Sequence, residues 1–363
     1  MKIATIIGAR PQFIKTAAVS RTIARYNQLV PASSRLEEII VHTGQHYDDG
    51  MSEIFFRELE IPKPTYNLDI GSDSHARQTG RMLIAVEDVL IKEKPDLVLI
   101  YGDTNSTLAG ALAATKLHIP IAHVEAGLRS FNRRMPEEIN RIIADQLSTL
   151  LFCPSRVAVK NLAAEGVTKG VHITGDVMAD ALQFASIKAT TNPDILKSLD
   201  LEPQGYLLAT VHRAENTDDT GRLQNVLSAF ETLNEKVIFP VHPRTRKHLQ
   251  DRGYKIPTNI KLINPVGYFD IIALEKSARL ILTDSGGIQK EAYWLKVPCI
   301  TLRDETEWTE TVDTGWNILV GTDRDRIIEA VRYFKVPSLH PSIYGDGKAA
   351  KRIVNILVQK SKV

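Results

Sequence analysis

Short apolar segments alternate with helical segments along almost the whole chain, and this alternation constrains the fold more than any other feature. The predicted strands lie near residues 2–7, 38–42, 96–101, 119–124 and 150–153, and then near 206–211, 237–241, 260–263, 279–283 and 297–302. The predicted helices lie near 11–26, 50–59, 75–93, 104–117 and 136–148, and then near 219–235, 268–277, 286–296, 323–335 and 347–359. Strands and helices in this order form right-handed βαβ units. We therefore predict an α/β fold built on buried parallel sheets.

The length of the chain predicts two domains. A single core rarely serves 363 residues, because domains usually hold on the order of 100–200 residues. We predict two Rossmann-like, doubly wound domains, residues 1–168 and 169–346. The alternation pauses at 188–204, so a boundary there is the alternative.

Composition argues against several classes of protein. A net charge of +2 without a basic run does not suggest nucleic-acid binding. No apolar run approaches the roughly 20 residues of a membrane helix, and the N-terminal apolar stretch is too short for a signal peptide. Cys153 and Cys299 lie far apart in apolar segments, so no disulfide framework or zinc spacing arises. We expect a cytoplasmic protein that does not interact with membranes.

Polar residues stand where the predicted strands end, which is where open α/β sheets bind ligands. These residues are Arg10, Asp103, Glu125, His212, His242 and the segment 284–287. Two such sets of strand ends, facing each other, would enclose a nucleotide-bearing substrate.

The sequence Ser285-Gly286-Gly287 joins an apolar strand directly to a predicted helix. A helix N-terminus presents unpaired N–H groups and a partial positive charge, which together bind phosphate. Glycine also lets a ligand approach the backbone closely. This segment therefore predicts a binding site for a phosphorylated small molecule.

Cationic side chains accompany several strand ends. Arg10 and Lys15 follow the first strand and suit phosphate or sugar oxygens. His212, followed by Arg213, and His242 end two later strands, and this repetition favours anion binding over two unrelated structural histidines.

Carboxylates in the first half are candidates for acid–base chemistry. Asp103 alone is better explained as a helix cap. A carboxylate at the position of Glu125 is costly unless it is paired or used, and Arg129 is its expected structural partner, so ion pairing and catalysis are equally plausible there. Glu137 opens a helix, where acids favour the dipole. If Asp103, Glu125 and Glu137 converge, one can hold a proton while another accepts one.

The motifs together resemble the non-hydrolysing UDP-N-acetylglucosamine 2-epimerases. They occur in order at 8–15 (GARPQFIK), 102–107 (GDTNST), 123–130 (HVEAGLRS), 136–141 (PEEINR), 212–216 (HRAEN) and 284–291 (DSGGIQKE). The resemblance implies a glycosyltransferase-B-like fold, with the active site in a cleft between two Rossmann-like domains and the C-terminal helix (347–363) joined to the first.

The implied reaction inverts carbon 2 of a UDP-activated 2-acetamido sugar, by elimination and re-addition of UDP, for cell-surface polysaccharide biosynthesis. By motif, Asp103, Glu125 and Glu137 are the acid–base set, with His212 and Lys15 also catalytic, and Glu291 contacts the ribose. The resemblance further implies a homodimer and no metal or redox cofactor. From the residues themselves, His42 and His46 lack the partners of a metal site.

Departures from the family pattern concern the substrate. Many members have Thr-Glu-Arg-Pro-Glu where this chain has Trp308 in place of the arginine, and Gly-Thr-Arg-Pro-Glu becomes 8–12 here, with Gln12. Val266 and Ile271 stand near the uridine-side Gln and Phe of some relatives. These changes resemble the branch acting on UDP-2,3-diacetamido-2,3-dideoxyglucuronic acid, so two substrates remain open. The activator loop of some bacterial members is also altered, at 45–48. The rival functions are a UDP-sugar glycosyltransferase, a hydrolysing epimerase of the same fold and a non-catalytic nucleotide-sugar sensor.

Overall fold

The chain forms two compact α/β units. The computed structural model describes residues 1–45, 60–190, 194–241, 243–251 and 253–360. The first unit comprises Met1–Gln183 and Ser342–Val363, and the second comprises Phe184–Pro341. The division thus falls between the boundary proposed from the sequence at 168 and the alternative at 188–204.

The first unit is built on a parallel sheet of seven strands in the order β3-β2-β1-β4-β5-β6-β7. Its strands are β1 (Lys2–Ile7), β2 (Glu37–His42), β3 (Tyr66–Asn67), β4 (Leu97–Tyr101), β5 (Ile121–Val124), β6 (Leu150–Cys153) and β7 (Val171–Ile173). The strand order reverses between β1 and β4, which are direct neighbours. This reversal places the carboxyl ends of β1, β4 and β5 side by side, where doubly wound folds bind ligands.

Helices connect these strands and cover the sheet. They are α1 (Arg10–Leu29), a short 3₁₀ turn (Ala32–Ser34), α2 (His75–Glu93), α3 (Asn105–Lys116), α4 (Pro136–Leu147), α5 (Arg156–Ala164) and α6 (Val177–Thr190). Pro11 stands in the first turn of α1, where its missing N–H costs nothing. The central strand β4 is buried along its whole length, as expected for a parallel sheet covered on both faces.

The second unit is built on a parallel sheet of six strands in the order β10-β9-β8-β11-β12-β13. Its strands are β8 (Leu207–Thr210), β9 (Val237–Pro240), β10 (Ile260–Ile263), β11 (Leu280–Thr283), β12 (Cys299–Thr301) and β13 (Asn317–Leu319). Its helices are α7 (Asp194–Leu199), α8 (Ala214–Thr217), α9 (Thr220–Leu233), α10 (Pro243–Asp251), α11 (Tyr268–Ser277), α12 (Gly286–Leu295), α13 (Thr309–Asp313) and α14 (Arg324–Tyr333). The reversal here lies between β8 and β11, which pair directly.

The last helix, α15 (Ala349–Lys360), belongs to the first unit. The Asp180 carboxylate accepts hydrogen bonds from the amides of Ala349 (3.0 Å) and Ala350 (3.1 Å) at its start. Gly175 and Gly345 have positive φ and nearly touch, so a side chain on either would displace the backbone. These contacts hold the end of the chain against α6.

The predicted α/β class with two parallel sheets is confirmed, and each predicted strand is present. The additional strands β3, β7 and β13 have two or three residues each, too few to produce a periodic pattern. Helices α5, α6, α7, α8, α10 and α13 were not predicted. The helix expected near 50–59 lies outside the described residues.

Candidate functional site

The loop after β1 is fixed to the end of β4 by one buried amide side chain. The oxygen of Gln12 accepts hydrogen bonds from the amides of Gly8 (2.7 Å) and Ala9 (3.0 Å), and its nitrogen donates to Tyr101 O (2.9 Å). A glutamate at this position could not donate to that carbonyl. Gly8 itself leaves no space for a Cβ, which would lie 2.0 Å from Thr43 Oγ1.

A buried ion pair lies at the ends of β4 and β5. The ammonium of Lys15 donates to the Glu125 carboxylate, and the two side chains are 10% and 6% exposed. Glu125 has φ +73°, a left-handed conformation that is uncommon for a residue with a side chain. Gly102 lies against the pair, because a Cβ there would be 3.1 Å from Lys15 Nζ and 3.2 Å from Glu125 Oε2.

Arg129 is therefore not the ion-pair partner of Glu125 that the sequence suggested. It donates to Asp145 Oδ2 at 2.7 Å and to both oxygens of Glu165 at 2.7 Å. Burial opposes its charge, but the hydrogen bonds to Glu165 and the nearby Asp145 carboxylate raise the pKa of Arg129 above its ordinary value. The loop after β5 turns this side chain toward α4, whereas Lys15 reaches Glu125 from α1.

Asp103 follows Gly102 and forms an ion pair with Arg141 of α4. Its side chain is 30% exposed, so solvent or a ligand can reach it. Asn140 Nδ2 donates to the Asp103 carbonyl at 2.9 Å and to Asn105 Oδ1 at 3.2 Å. These bonds fix the turn after β4 from two helices.

Adjacent glutamates at the start of α4 have different environments. Glu138 is buried and accepts hydrogen bonds from the amides of Ser130 and Phe131, both at 2.9 Å. Glu137 is exposed on the first turn of the helix. The structure therefore brings Asp103 and Glu125 to neighbouring strand ends and leaves Glu137 at an accessible helix start.

Two further predicted site residues can only be located along the chain. Arg10 is the first residue of α1, directly after the β1 loop. His242 lies outside the described residues, as do His46 and the rest of the altered activator loop beyond Gln45. The His42 side chain is buried and lies 2.9 Å from Asn67 Oδ1, which is a structural contact.

In the second unit, Asp284 organises the ends of β8 and β11. Its fully buried carboxylate accepts from the amides of His212 (3.1 Å) and Arg213 (3.0 Å) and from Asn216 Nδ2 (3.0 Å). The His212 ring places Nδ1 3.2 Å from Asp284 Oδ1 and remains 55% exposed. Arg213 Nε donates to the Asp284 carbonyl at 3.0 Å. Two cationic or protonatable side chains are thus held at the strand end.

Helix α12 starts directly after this aspartate, with Ser285 as its N-cap and no hydrogen bond from that side chain to the helix. The two glycines that follow differ. A Cβ on Gly286 would meet Glu307 Oε1 at 2.4 Å, whereas a Cβ on Gly287 would approach only Ser285 Oγ, at 3.8 Å. A side chain on Gly286 would displace the Glu307 carboxylate, whereas Gly287 leaves the helix end open.

Two groups of side chains flank this helix. Glu291 is buried on its second turn and accepts from Tyr268 Oη at 3.1 Å. Lys290 places its ammonium 3.6 Å from the ring centroid of Trp308, a cation–π contact. Trp308 therefore stands over a buried cation next to the open helix end.

A sequence profile of the UDP-N-acetylglucosamine 2-epimerase family matches residues 29–358. The chain belongs to this family. Its members are carbohydrate epimerases, a class of isomerase.

Relatives of this epimerase chain differ in their named substrates. It is 56% identical to a UDP-N-acetylglucosamine 2-epimerase homolog of Methanococcus maripaludis, over 98% of this chain and 99% of that protein. It is 52% identical to the UDP-2,3-diacetamido-2,3-dideoxy-D-glucuronate 2-epimerase of Pseudomonas aeruginosa, over 99% of this chain and 100% of that protein.

The solved structures agree with the family. The Methanocaldococcus jannaschii UDP-GlcNAc 2-epimerase, in complex with UDP-GlcNAc and UDP, has a TM-score of 0.90 and 46% identity, over 99% of this chain and 100% of that one. A ugt transferase from Siraitia grosvenorii, solved in complex with UDP, shares the fold alone, with 11% identity and a TM-score of 0.55. The glycosyltransferase-B-like class predicted from the sequence is confirmed.

The roles of several residues that shape this epimerase's strand ends are not evident from the sequence. The sequence marks Gln12 only as a departure from the family pattern and Asp284 only as part of the polar segment 284–287, and it assigns no separate role to His123 or Asp145. Asp284 had a visible signal, since it is a charged residue at the end of an apolar strand. His123 lies inside a strand and Asp145 inside a helix, where neither gives such a signal.

Among the described residues, no group of three or more histidine, cysteine, aspartate or glutamate side chains is arranged to hold a metal ion. No helix in the described part of the chain is both long and apolar enough to cross a membrane.

Proposed function

We propose that this protein inverts carbon 2 of a UDP-activated 2-acetamido sugar without hydrolysing it. The observation that carries the proposal is the buried Lys15–Glu125 pair beside Asp103, at adjacent strand ends of a chain that belongs to the 2-epimerase family. The two candidate substrates are UDP-N-acetylglucosamine and UDP-2,3-diacetamido-2,3-dideoxyglucuronic acid.

The second unit binds the UDP portion in this proposal. The open N-terminus of α12 offers main-chain N–H groups and a partial positive charge to the diphosphate, and the Ser285 hydroxyl lies at the same end. His212 and Arg213 add donors from the neighbouring strand end. In this proposal His242 is a further cationic contact from this unit, and Arg10 is one from the start of α1 in the first unit. These groups stabilise the negative charge that develops as UDP leaves.

The first unit supplies the proton chemistry. The hydrogen on carbon 2 is only weakly acidic, so its removal needs a well-placed base and a stabilised leaving group. A carboxylate takes this proton while the bond from carbon 1 to the UDP oxygen breaks, which leaves a 2-acetamidoglucal. UDP then adds back to carbon 1, and carbon 2 receives a proton with the opposite configuration. Asp103, Glu125 and Glu137 form the acid–base set, and Lys15 contacts the substrate.

The accessible surface of Asp103 and the buried position of Glu125 support different roles for the two acids. Asp103 can exchange protons with a bound sugar or with water because part of its side chain is exposed. Glu125 is held by an ammonium group in a site with little water, which keeps its carboxylate oriented. The exposed Glu137 contacts substrate only if the sugar reaches the start of α4.

The direct test is to incubate the protein with each UDP-sugar in parallel, without an acceptor, and to identify the product by NMR and mass spectrometry. We expect the manno epimer of one of them, with UDP still attached. Free sugar with free UDP would indicate a hydrolysing epimerase. Binding of UDP without turnover of either sugar would indicate a sensor, and transfer seen only with an added acceptor would indicate a glycosyltransferase.

Variants connect this activity to the site. Asp103→Asn, Glu125→Gln and Glu137→Gln should each lower turnover, by about 100-fold or more where the lost group transfers a proton. Ser285→Ala and His212→Ala should instead weaken UDP binding, measured by calorimetry. Near-normal rates in all three carboxylate variants would refute the proposed mechanism, and unchanged UDP affinity in both others would refute the proposed UDP site.

The assembly and location of the protein are also part of the proposal. We propose a homodimer that works in the cytoplasm. Light scattering coupled to size-exclusion chromatography measures the mass in solution, and a monomer at working concentration would contradict the dimer. Fractionation of the producing cell tests the location.

A further inference from the structure

A histidine inside the first sheet contacts the backbone beneath the ion pair. His123 lies on β5 and has no exposed surface. Its Nε2 is 2.7 Å from Gly102 O, and its Nδ1 is 2.8 Å from Asp145 Oδ1. A carbonyl oxygen can only accept, so Nε2 carries the hydrogen of the first contact. His123 thus joins β5 to the turn after β4.

Gly102 is the residue through which this contact reaches the site. It has φ +60°, and any side chain on it would meet Lys15 and Glu125. Its peptide is followed directly by Asp103. Fixing the Gly102 carbonyl therefore fixes both the space for the ion pair and the starting point of the Asp103 side chain.

The other end of the contact leads to the loop after Glu125. The second oxygen of Asp145 accepts from Gly127 N at 3.1 Å and from Arg129 Nη1 at 2.7 Å. Gly127 has φ +83°, and a Cβ there would lie 2.4 Å from Ala158 O, so this loop has little freedom. Asp145 is fully buried. One imidazole and one carboxylate thus connect the two peptide segments that carry Asp103 and Glu125.

We propose that His123 is a positioning residue for proton transfer at carbon 2. It acts through the Gly102 carbonyl, because its ring has no exposed surface from which to reach a substrate. The proposal rests on the proposed epimerase function, and it predicts a change in the chemical step with no change in UDP binding. A shift on the order of 1 Å in a reacting group can lower a rate by about 100-fold.

Two carboxamide variants separate positioning from general packing. In His123→Gln, the amide nitrogen can occupy the place of Nε2 and still donate to Gly102 O. In His123→Asn, the shorter side chain can place its nitrogen near Nδ1, facing Asp145, and the hydrogen bond to Gly102 is removed. Each variant keeps one of the two hydrogen bonds, so the pair differs in which bond remains.

We expect kcat of His123→Asn to fall about 100-fold, while His123→Gln keeps kcat within about tenfold of the wild type. KM and the UDP dissociation constant should stay within about twofold in both. The melting temperatures of the two variants, measured by calorimetry, show whether the difference in kcat follows the difference in stability.

The outcomes distinguish this inference from the function on which it rests. Absence of turnover by the wild type with both UDP-sugars would refute the proposed function. If the wild type turns over but His123→Asn and His123→Gln lose kcat equally, the positioning role is refuted and the proposed function stands. The same conclusion follows if the kcat losses track the melting temperatures. A loss of kcat confined to His123→Asn at equal stability would support it.

Discussion

The ends of β4 and β5 in the first unit and the ends of β8 and β11 in the second are built in opposite ways. In the first unit, charged side chains are interlocked and largely buried, as in the Lys15–Glu125 pair and the Arg129–Asp145 pair. In the second unit, the buried aspartate Asp284 holds main-chain amides, while His212 stays exposed and the start of α12 stays open.

This difference follows from the chemistry that each unit is proposed to perform. Proton transfer needs groups at defined positions, so their alternative conformations must be excluded. Binding a diphosphate needs an accessible set of donors, because the ligand itself completes their hydrogen bonds. Buried, paired side chains in one unit and accessible main-chain groups in the other match these two requirements.

Among the variants that test this comparison, Lys15→Met is expected to change stability and turnover the most. It leaves the Glu125 carboxylate buried without its ammonium partner, which should lower the free energy of unfolding by about 3–5 kcal/mol and abolish most turnover. Urea unfolding measures the first effect. The double variant Lys15→Met/Glu125→Gln removes both charges and should recover stability but not activity. If Lys15→Met alone were as stable as the wild type, the Lys15–Glu125 ion pair would not contribute to the stability of this strand end.

Gly102→Ala should follow, with turnover reduced by about 10- to 100-fold. The new Cβ would contact Lys15 and Glu125, and the alanine would have to adopt a positive φ. Gly166→Ala is the matched control, since Gly166 has φ +81° but nothing within 4 Å of the added atom. Both variants place alanine at a positive φ, so the backbone strain is similar in the two. Equal turnover of Gly102→Ala and Gly166→Ala in steady-state assays would show that Gly102 does not contribute to the site.

In the second unit, Gly287→Ala should weaken UDP binding by about tenfold without lowering stability. The added methyl would approach only Ser285 Oγ, at an ordinary contact distance of 3.8 Å, and alanine favours the helix. Gly221→Ala, in the first turn of α9, serves as the control for this substitution. Calorimetric titration with UDP measures the affinity. Unchanged binding in Gly287→Ala would show that the diphosphate does not approach this helix end.

The smallest effect on this comparison is expected from Asp180, an acid of the first unit whose described hydrogen bonds come from main-chain amides. Burial raises its pKa from 3.8 to about 6, although the amides of Ala349 and Ala350 favour the ionised form. The fold therefore binds the proton more tightly than the unfolded chain, and this contribution to stability is lost as pH rises from about 4 to about 6. The full shift corresponds to about 3 kcal/mol, so the wild type should lose at most that amount of stability relative to Asp180→Asn across this window.

Urea unfolding at several pH values checks that sign. A wild type that gains stability over Asp180→Asn as the pH rises would mean that the amides outweigh burial. The first unit's acids would then be held ionised at main-chain sites as well as in ion pairs.

The sequence was informative where parallel topology alone determines position. Asp103, Glu125 and Ser285 each follow an apolar strand, and neighbouring parallel strands bring their carboxyl ends together, so these residues could be placed at ligand-binding edges. The motif order then identified the family. The strands β3, β7 and β13 were missed because a strand of two or three residues has no period.

Side-chain partners could not be predicted in the same way. Arg129 is four residues from Glu125, yet the loop geometry sends it to Asp145, and Lys15 comes from a helix far away in the sequence. The adjacent Gly286 and Gly287 have the same chemistry, but the Glu307 carboxylate lies against Gly286 and leaves Gly287 open. Such distinctions depend on tertiary packing, which no local pattern encodes.

The most direct measurement of the central claim is deuterium incorporation at carbon 2 in heavy water, followed by NMR, alongside UDP affinity. The wild type should incorporate deuterium, whereas Asp103→Asn and Glu125→Gln should lose incorporation and keep UDP affinity. Ser285→Ala should show the converse change, because it should retain the capacity to incorporate deuterium but bind UDP more weakly. Incorporation at the wild-type rate in both carboxylate variants would contradict the assignment of proton chemistry to the first unit.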